Sequence, residues 1–263
     1  MAFETIEFSV ESGIGRLALS RPDSLNSFNV EMHEEIQQAL DVLERTEGLR
    51  VLLVTGRGRA FCAGQDLSDR SVAPGDQVPD LGESLERYYN PMIRRLRALP
   101  VPVVCAVNGV AAGAGANIAL ACDIVLAARS AKFAEVFCNI GLVPDSGGTW
   151  HLPRLVGHAR AMALSMLGGK VSAEQAEQWG MIWRVVDDDA LEREAEDLLE
   201  HFARQPTRGL AHIKQALAAS WTSTLDEQLD LERDLQRACG RTADYREGVT
   251  AFMEKRKPEF TGR

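Results

Sequence analysis

The chain has 263 residues, and its composition limits the classes of protein to which it can belong. Hydrophobic residues make up 45% and charged residues 25%, which is ordinary for a globular protein and excludes a disordered chain. The net charge of −9 argues against a partner that is a nucleic acid. No apolar run is long enough to span a membrane, and the opening residues lack the pattern of a signal peptide.

The cysteines favour a reducing, cytoplasmic compartment. There are five of them, an odd number, with no Cys-x-x-Cys pair and no histidine at a spacing that would complete a metal site. We therefore expect free thiols and no bound metal.

Predicted strands and helices alternate through the first part of the chain. Strands are predicted at residues 5–10 and 14–19, and Asn29 is predicted to cap a helix because apolar residues recur beyond it at helical spacing. Continuous apolar runs, typical of strands buried on both faces, follow at residues 51–55, 102–107 and 124–127, and a further strand is predicted at residues 182–186. This alternation predicts an α/β core.

Two segments depart from this alternation. The polar stretch 68–80 has few apolar anchors and is predicted to be a mobile lid or access loop, followed by a helix near residues 82–99 that ends at Pro100. From residue 190 onward the apolar spacing is helical only. We therefore predict an α/β core over 1–200 and a helical region over 201–263.

Two loops of small residues follow buried strands, at residues 60–66 and 108–117. Small residues let a backbone approach a ligand, and the N–H groups at a helix start can meet developing negative charge. Tight packing between strand and helix is the alternative interpretation of either loop. The second loop carries Gly113 and Gly115, but Ile118 stands where a dinucleotide-binding fingerprint needs its third glycine, so we do not expect NAD.

Several motifs, taken in order, resemble those of the enoyl-CoA hydratase/isomerase (crotonase) superfamily. They are Phe61-Cys62-Ala63-Gly64-Gln65-Asp66-Leu67, Asn108-Gly109-Val110-Ala111-Ala112-Gly113-Ala114-Gly115 and Gly141-Leu142-Val143-Pro144-Asp145-Ser146-Gly147-Gly148-Thr149, with Arg21-Pro22 before them and residues 251–257 after them. The resemblance covers the whole chain. It implies a crotonase fold of repeated ββα units with a C-terminal helical trimerisation region, assembled as a homotrimer or a dimer of trimers. The substrate would be an acyl-CoA thioester, with no cofactor.

Four stretches favour one branch of that superfamily, the isomerases that act on the ring epoxide of phenylacetyl-CoA in phenylacetate breakdown. These stretches are residues 63–67, 88–91, 141–145 and 231–234. The implied reaction expands the epoxide to a seven-membered oxepin, and a shift of double bonds from β,γ to α,β needs the same parts. Two alternatives within the superfamily are an enoyl-CoA hydratase and a hydrolytic aromatic acyl-CoA dehalogenase, in which an Asp attacks the ring as a nucleophile. An RNA-binding or assembly role is a third, and the acidic balance argues against it.

The resemblance also assigns the reacting groups. It places an oxyanion hole on the backbone N–H groups of Ala63 and Ala114, where one donor is typically worth about 3–4 kcal/mol. The two glutamates that hold water in the hydratases correspond to Asn117 and Phe137, which cannot exchange a proton. Asp145 is left as the proton shuttle, with a helix N-cap as its alternative role. Glu135 could substitute, but we interpret it as a solvated carboxylate at a strand edge.

The remaining site residues concern the CoA moiety and the acyl pocket. Local positive charge from Lys255-Arg256-Lys257 is expected to meet CoA, with a solubilising basic tail as the alternative. The expected substrate-binding set is Arg21, Ala63, Gln65, Asp66, Leu67, Gly113, Phe137, Phe252 and Lys255. Tyr88 and Tyr89 are read either as lining for an aromatic acyl group or as core, while Cys62, His151 and His158 are read as structural or solvent-facing.

Overall fold

The computed structural model describes residues 3–70 and 80–263. Most of the expected lid, residues 68–80, therefore lies outside the described residues.

The strands and helices follow the predicted alternation. The strands are β1 Ile6–Glu11, β2 Ile14–Leu19, β3 Val51–Gly56, β4 Ala60–Cys62, β5 Val103–Val107, β6 Val110–Ala112, β7 Ile124–Ala128, β8 Lys132–Ala134, β9 Lys170–Ser172 and β10 Arg184–Val186. The helices are α1 Val30–Arg45, α2 Leu81–Ser84, α3 Asn90–Ala98, α4 Ala114–Ala121, α5 Gly148–Val156, α6 His158–Leu167, α7 Ala173–Gln178, α8 Leu191–Ala203, α9 Thr207–Ala219, α10 Leu225–Cys239 and α11 Ala243–Glu254.

The long strands form one sheet in the order β1-β2-β3-β5-β7-β10. The hairpin of β1 and β2 is antiparallel, and every later neighbour in this sheet is parallel. The apolar runs predicted as strands buried on both faces supply β3, β5 and β7, as expected for a parallel sheet covered on both sides, and the strand predicted at residues 182–186 supplies β10.

A second sheet is built from strands of three residues, in the order β4-β6-β8-β9. Each strand pair β3 and β4, β5 and β6, and β7 and β8 places its first member in the large sheet and its second in the small one. This confirms the predicted repeat of two strands and a helix. Two of the short strands, β4 and β6, lie inside the segments that we predicted to be loops.

The helix predicted near residues 82–99 is interrupted. A π-helical turn, Leu85–Tyr89, separates α2 from α3. Pro91 has no N–H to donate to the carbonyl one turn back, and the Asn90 N–H bonds to Leu85 O instead. The wider turn therefore lies where the proline disrupts the regular ladder.

The expected boundary at residue 200 falls inside α8. This helix packs on β3, β5 and β7, and its Leu199 and Phe202 are buried against Val51 and Val104 of the large sheet. The last three helices, by contrast, expose many apolar side chains, namely Ile213, Leu217, Leu225, Leu229, Val249, Phe252 and Met253. No helix in the described part of the chain is both long enough and apolar enough to cross a bilayer.

Candidate active site

Three loops meet at one edge of the small sheet. β4, β6 and β8 are adjacent and parallel, so the segments that follow them leave the sheet at the same edge. A Cβ added to Gly64 would lie 2.9 Å from Ala112 O and 3.6 Å from Ala114 N, which shows how closely the first two loops approach. The loop after β8 carries Glu135 and Phe137.

The loop after β6 presents the start of α4. Its cap residue, Gly113, has a φ of 54°, and α4 begins at Ala114. The N–H groups of a first helical turn have no acceptor within the helix, and the Ala114 N–H pairs with no acceptor among the described residues. A Cβ on Gly115 would lie 2.6 Å from Cys62 Cβ, so only glycine lets the two loops pack this closely.

The loop after β4 corrects the assignment of Ala63. Its N–H donates to Leu25 O at 3.0 Å, so this donor is already engaged inside the fold. Phe28 N–H donates to Gly64 O at 2.8 Å, and Asp66 N–H donates to Phe28 O at 2.9 Å. In such a parallel pairing the peptide N–H of the intervening residue, Gln65, is directed away from Phe28. The expectation that Ala63 N–H faces the substrate is therefore wrong.

Polar contacts hold this loop in place. Asp66 Oδ2 accepts from both terminal nitrogens of Arg21 at 3.0 Å, and Tyr89 OH donates to Gln65 Oε1 at 2.9 Å. Hydrogen bonds from Ser68, and then from Arg21, lower the pKa of Asp66. Arg21 and Asp66 neutralise one another, so they are better placed to fix the loop than to offer a free charge to CoA. Leu67 is exposed beside them.

Asp145 is half-buried and does not cap a helix with its side chain. The cap of α5 is Gly147, with no side-chain bond, and the Asp145 carboxylate accepts instead from Ser146 Oγ at 2.9 Å. Its backbone carbonyl accepts from the Gly148 N–H at 2.8 Å. The N-cap position of α5 is therefore occupied by Gly147 and not by Asp145.

Glu135 differs most from its sequence-based interpretation. It is 1% exposed, so the interpretation as a solvated carboxylate is wrong. Burial, and after it the negative charge of Asp145, raises the pKa of Glu135 to about 7, against the opposing effect of a hydrogen bond from Asn117. The buried neighbours Phe133 and Ala134 on β8 are the sequence signal that could have placed it inside.

Asn117 joins the two carboxylate-bearing segments. Its Nδ2 lies 2.9 Å from Asp145 O and 3.4 Å from Glu135 Oε2. A Cβ on Gly148 would lie 2.6 Å from Asn117 Oδ1, so the glycine at the start of α5 makes room for this amide. The residue is fully buried.

The other side chains near these loops are apolar or carry no charge at neutral pH. Phe137 is buried, and its ring lies 3.6 Å from the position of a Cβ on Gly113, so the two expected acyl-pocket residues are neighbours. Burial raises the pKa of Cys62 to about 12, which excludes a thiolate nucleophile. Burial, followed by Arg97 and Arg154, lowers the pKa of His151 to about 4.

The residues expected to meet CoA from the C-terminus lie elsewhere in this chain. Phe252 is 81% exposed and lines a cavity of about 380 Å³ beside α9 and the C-terminal tail. Lys255 is exposed at the end of α11, while Arg256 pairs with Glu247 at 2.6 Å and Glu254 at 2.8 Å. Part of the basic cluster is thus neutralised within the chain.

The fold and this edge of the small sheet define an enzyme class. Residues 9–263 match the family model described as enoyl-CoA hydratase/isomerase, and the chain belongs to that family of enzymes. It is 60% identical to the 1,2-epoxyphenylacetyl-CoA isomerase of Escherichia coli K12 over 99% of both chains. It is 36% identical to the trans-2-decenoyl-[acyl-carrier-protein] isomerase of Streptococcus mutans over the whole of both. The crystal structure of an enoyl-CoA hydratase from Bacillus anthracis superposes with a TM-score of 0.92 at 31% identity, covering 99% of this chain and 100% of that one.

Proposed function

We propose that this protein is an acyl-CoA isomerase that converts the ring 1,2-epoxide of phenylacetyl-CoA to the oxepin form. The observation that carries the proposal is the placement of Asp145, a half-buried carboxylate, beside Asn117 and Glu135. The 60% identity to the 1,2-epoxyphenylacetyl-CoA isomerase of E. coli supports the choice of acyl group. The identity to a decenoyl isomerase supports a shift of β,γ double bonds to α,β as a second activity.

The thioester carbonyl gains negative charge when the α-carbon loses a proton, and backbone donors stabilise that charge. The Ala114 N–H at the start of α4 is the first donor. The correction at Ala63 moves the second donor to Gln65, whose N–H is directed to the side opposite Phe28. Both donors are peptide groups held by loop packing, so they need no reorganisation during the reaction.

Expansion to the oxepin breaks the ring carbon–carbon bond that the epoxide oxygen bridges, and its electron pair stays in the double bonds of the seven-membered ring. Asp145 takes the proton from the α-carbon and returns it to a ring carbon, so no atom is gained or lost. Phe137 and Gly113 form the apolar side of the acyl pocket, where the absence of a carboxylate at position 137 leaves the site without the second proton-exchanging group that hydration needs. The aromatic cluster of Phe28, His33 and Tyr89 packs behind the loop that carries Gln65.

The rest of the assignment concerns CoA and assembly. The loop residues Gln65, Asp66 and Leu67, fixed by Arg21, would flank the thioester arm. Phe252 and Lys255 would reach the CoA of a neighbouring subunit, because the exposed apolar side chains of α9 to α11 suit burial in a homotrimer or a dimer of trimers. We place the enzyme in the cytoplasm.

Replacement of Asp145 by Asn tests the central assignment. The amide is nearly isosteric and does not titrate, so Asp145→Asn should lower kcat by about 10²–10⁴-fold, the usual contribution of a positioned acid or base. The KM should change little because the thioester and CoA are held by other groups. Turnover would be followed by mass spectrometry of products from ring-epoxide and β,γ-unsaturated acyl-CoA thioesters.

The matched control is Asp197→Asn, the same change at an exposed position of α8. It should keep wild-type kcat. Near-full activity of Asp145→Asn would contradict the role of Asp145 as proton shuttle. A covalent ester trapped on Asp145 during a single turnover would instead favour the dehalogenase alternative.

A further inference from the structure

Two buried oxygen atoms beneath Asp145 have no hydrogen-bond partner. They are Glu135 Oε1 and Asn117 Oδ1, and neither is paired among the described residues. An ionised carboxylate and an amide oxygen are both acceptors only, so the pair cannot satisfy itself while Glu135 carries a negative charge. A buried polar atom without a partner is destabilising, so such an arrangement calls for a hydrogen-bond donor.

A proton on Glu135 supplies that donor. The protonated acid has one O–H, while its other oxygen still accepts from Asn117 Nδ2, at the observed distance of 3.4 Å. The same Asn117 nitrogen donates to Asp145 O, so one amide contacts both the segment of Glu135 and the segment of Asp145. Gly148 leaves room for this amide, because any side chain there would collide with it.

On the basis of the proposed function, we propose that Glu135 is a positioning residue that stays protonated beneath Asp145, so that Asp145 is the one negative charge of the site during proton transfer. A second negative charge there would oppose both the charge on Asp145 and the charge that develops on the thioester oxygen. Deprotonation of Glu135 should therefore slow the reaction without removing any group that touches the substrate.

The surrounding elements carry few other groups that titrate near neutral pH. Asp145 is the charge that acts on Glu135 directly. α4 has no titratable side chain, and the 3₁₀ turn Val136–Ile140 contributes only the Cys138 thiol. α5 contributes His151, which is neutral because its pKa is lowered to about 4, and the exposed Arg154. Lys132, at the far end of β8, is exposed, as are His158 and Arg160 of α6.

The pH dependence of kcat tests this role. For the wild type, kcat should fall by roughly tenfold as pH rises from 6 to 9, since an added like charge commonly shifts such an equilibrium by about one pKa unit. Glu135→Gln keeps the shape of the carboxyl group without its charge, so its kcat should stay near the wild-type maximum across that pH range. Glu35→Gln changes another buried carboxylate, one that binds the backbone of Glu4 and Thr5, and should keep the wild-type fall.

Infrared difference spectroscopy between acid and alkaline pH gives a second readout that needs no turnover. The wild type should lose a protonated-carboxyl band with a midpoint near pH 7, Glu135→Gln should lack that band, and Asp145→Asn should shift the midpoint to lower pH because the like charge is gone. A pH-independent loss of activity in Glu135→Gln, or a wild type without the band, would overturn the proposal. A wild type that shows the band but turns over no acyl-CoA would instead contradict the proposed function.

Discussion

Replacing Glu135 by Gln should stabilise the protein at alkaline pH and have little effect at acid pH. The pKa of this buried carboxyl is about 7 in the folded chain, against 4.5 for an ordinary Glu. At about 1.36 kcal/mol per pKa unit, that difference corresponds to roughly 3 kcal/mol of stability. The folded state holds the proton of Glu135 more tightly than the unfolded state does. The contribution of this carboxyl to stability is therefore fully present below pH 4.5, and it is lost as pH rises through about 7.

Gln carries no charge, so the variant keeps the stability that the wild type loses when Glu135 ionises at alkaline pH. Its free energy of unfolding should exceed that of the wild type by roughly 3 kcal/mol at pH 8–9, and the gap should shrink toward pH 5. Urea unfolding at a series of pH values and one protein concentration measures the gap, provided that the m-value is unchanged. A gap that does not depend on pH, or a variant less stable than wild type at pH 9, would refute the reasoning.

Two further variants test the packing and the charge of the site. Gly148→Ala places a Cβ within 2.6 Å of Asn117 Oδ1, so it should cost about 1–3 kcal/mol of stability and lower kcat. The control Gly169→Ala meets nothing within 4 Å and should change neither quantity. Thermal unfolding measures the stability of both variants, and steady-state kinetics measures their kcat. Lys255→Ala should raise the KM for acyl-CoA by roughly fivefold at physiological salt, as the loss of about 1 kcal/mol of charge attraction implies. An unchanged apparent affinity for CoA would assign this lysine to a solubilising tail.

The large sheet was predictable because its strands leave a strong pattern. Continuous apolar runs gave β3, β5 and β7 nearly to the residue, and Asn29 caps α1 as its spacing predicts. The small sheet was missed because strands of three residues are too short to show a period. Its strands are specified by neighbours distant in sequence, as where β4 pairs with β6.

The site was predictable to the extent that its residues lie in motifs. Gly113 lies against Phe137, and Asn117 bonds to the backbone of Asp145, so the fold brings these motifs together, while the roles assigned to them stay predictions. The direction of a peptide N–H depends on which strand the loop pairs with, so the engagement of Ala63 by Leu25 could not be read from the motif. The burial of Glu135 depends in the same way on residues distant in sequence, such as Asn117 of α4.

The same residues explain why isomerisation suits this site better than hydration. Adding water requires one group to activate the water and another to donate a proton, on opposite sides of that water. Here the side-chain nitrogen of Asn117 donates to Glu135 Oε2 and to Asp145 O, and Phe137 places a buried apolar ring at the second position. Glu135 is screened from solvent and lies behind Asn117, where it can tune Asp145 but has no exposed surface for a water. In the proposed function one carboxylate, Asp145, faces the acyl group, and one carboxylate is enough to take a proton from one carbon and return it to another.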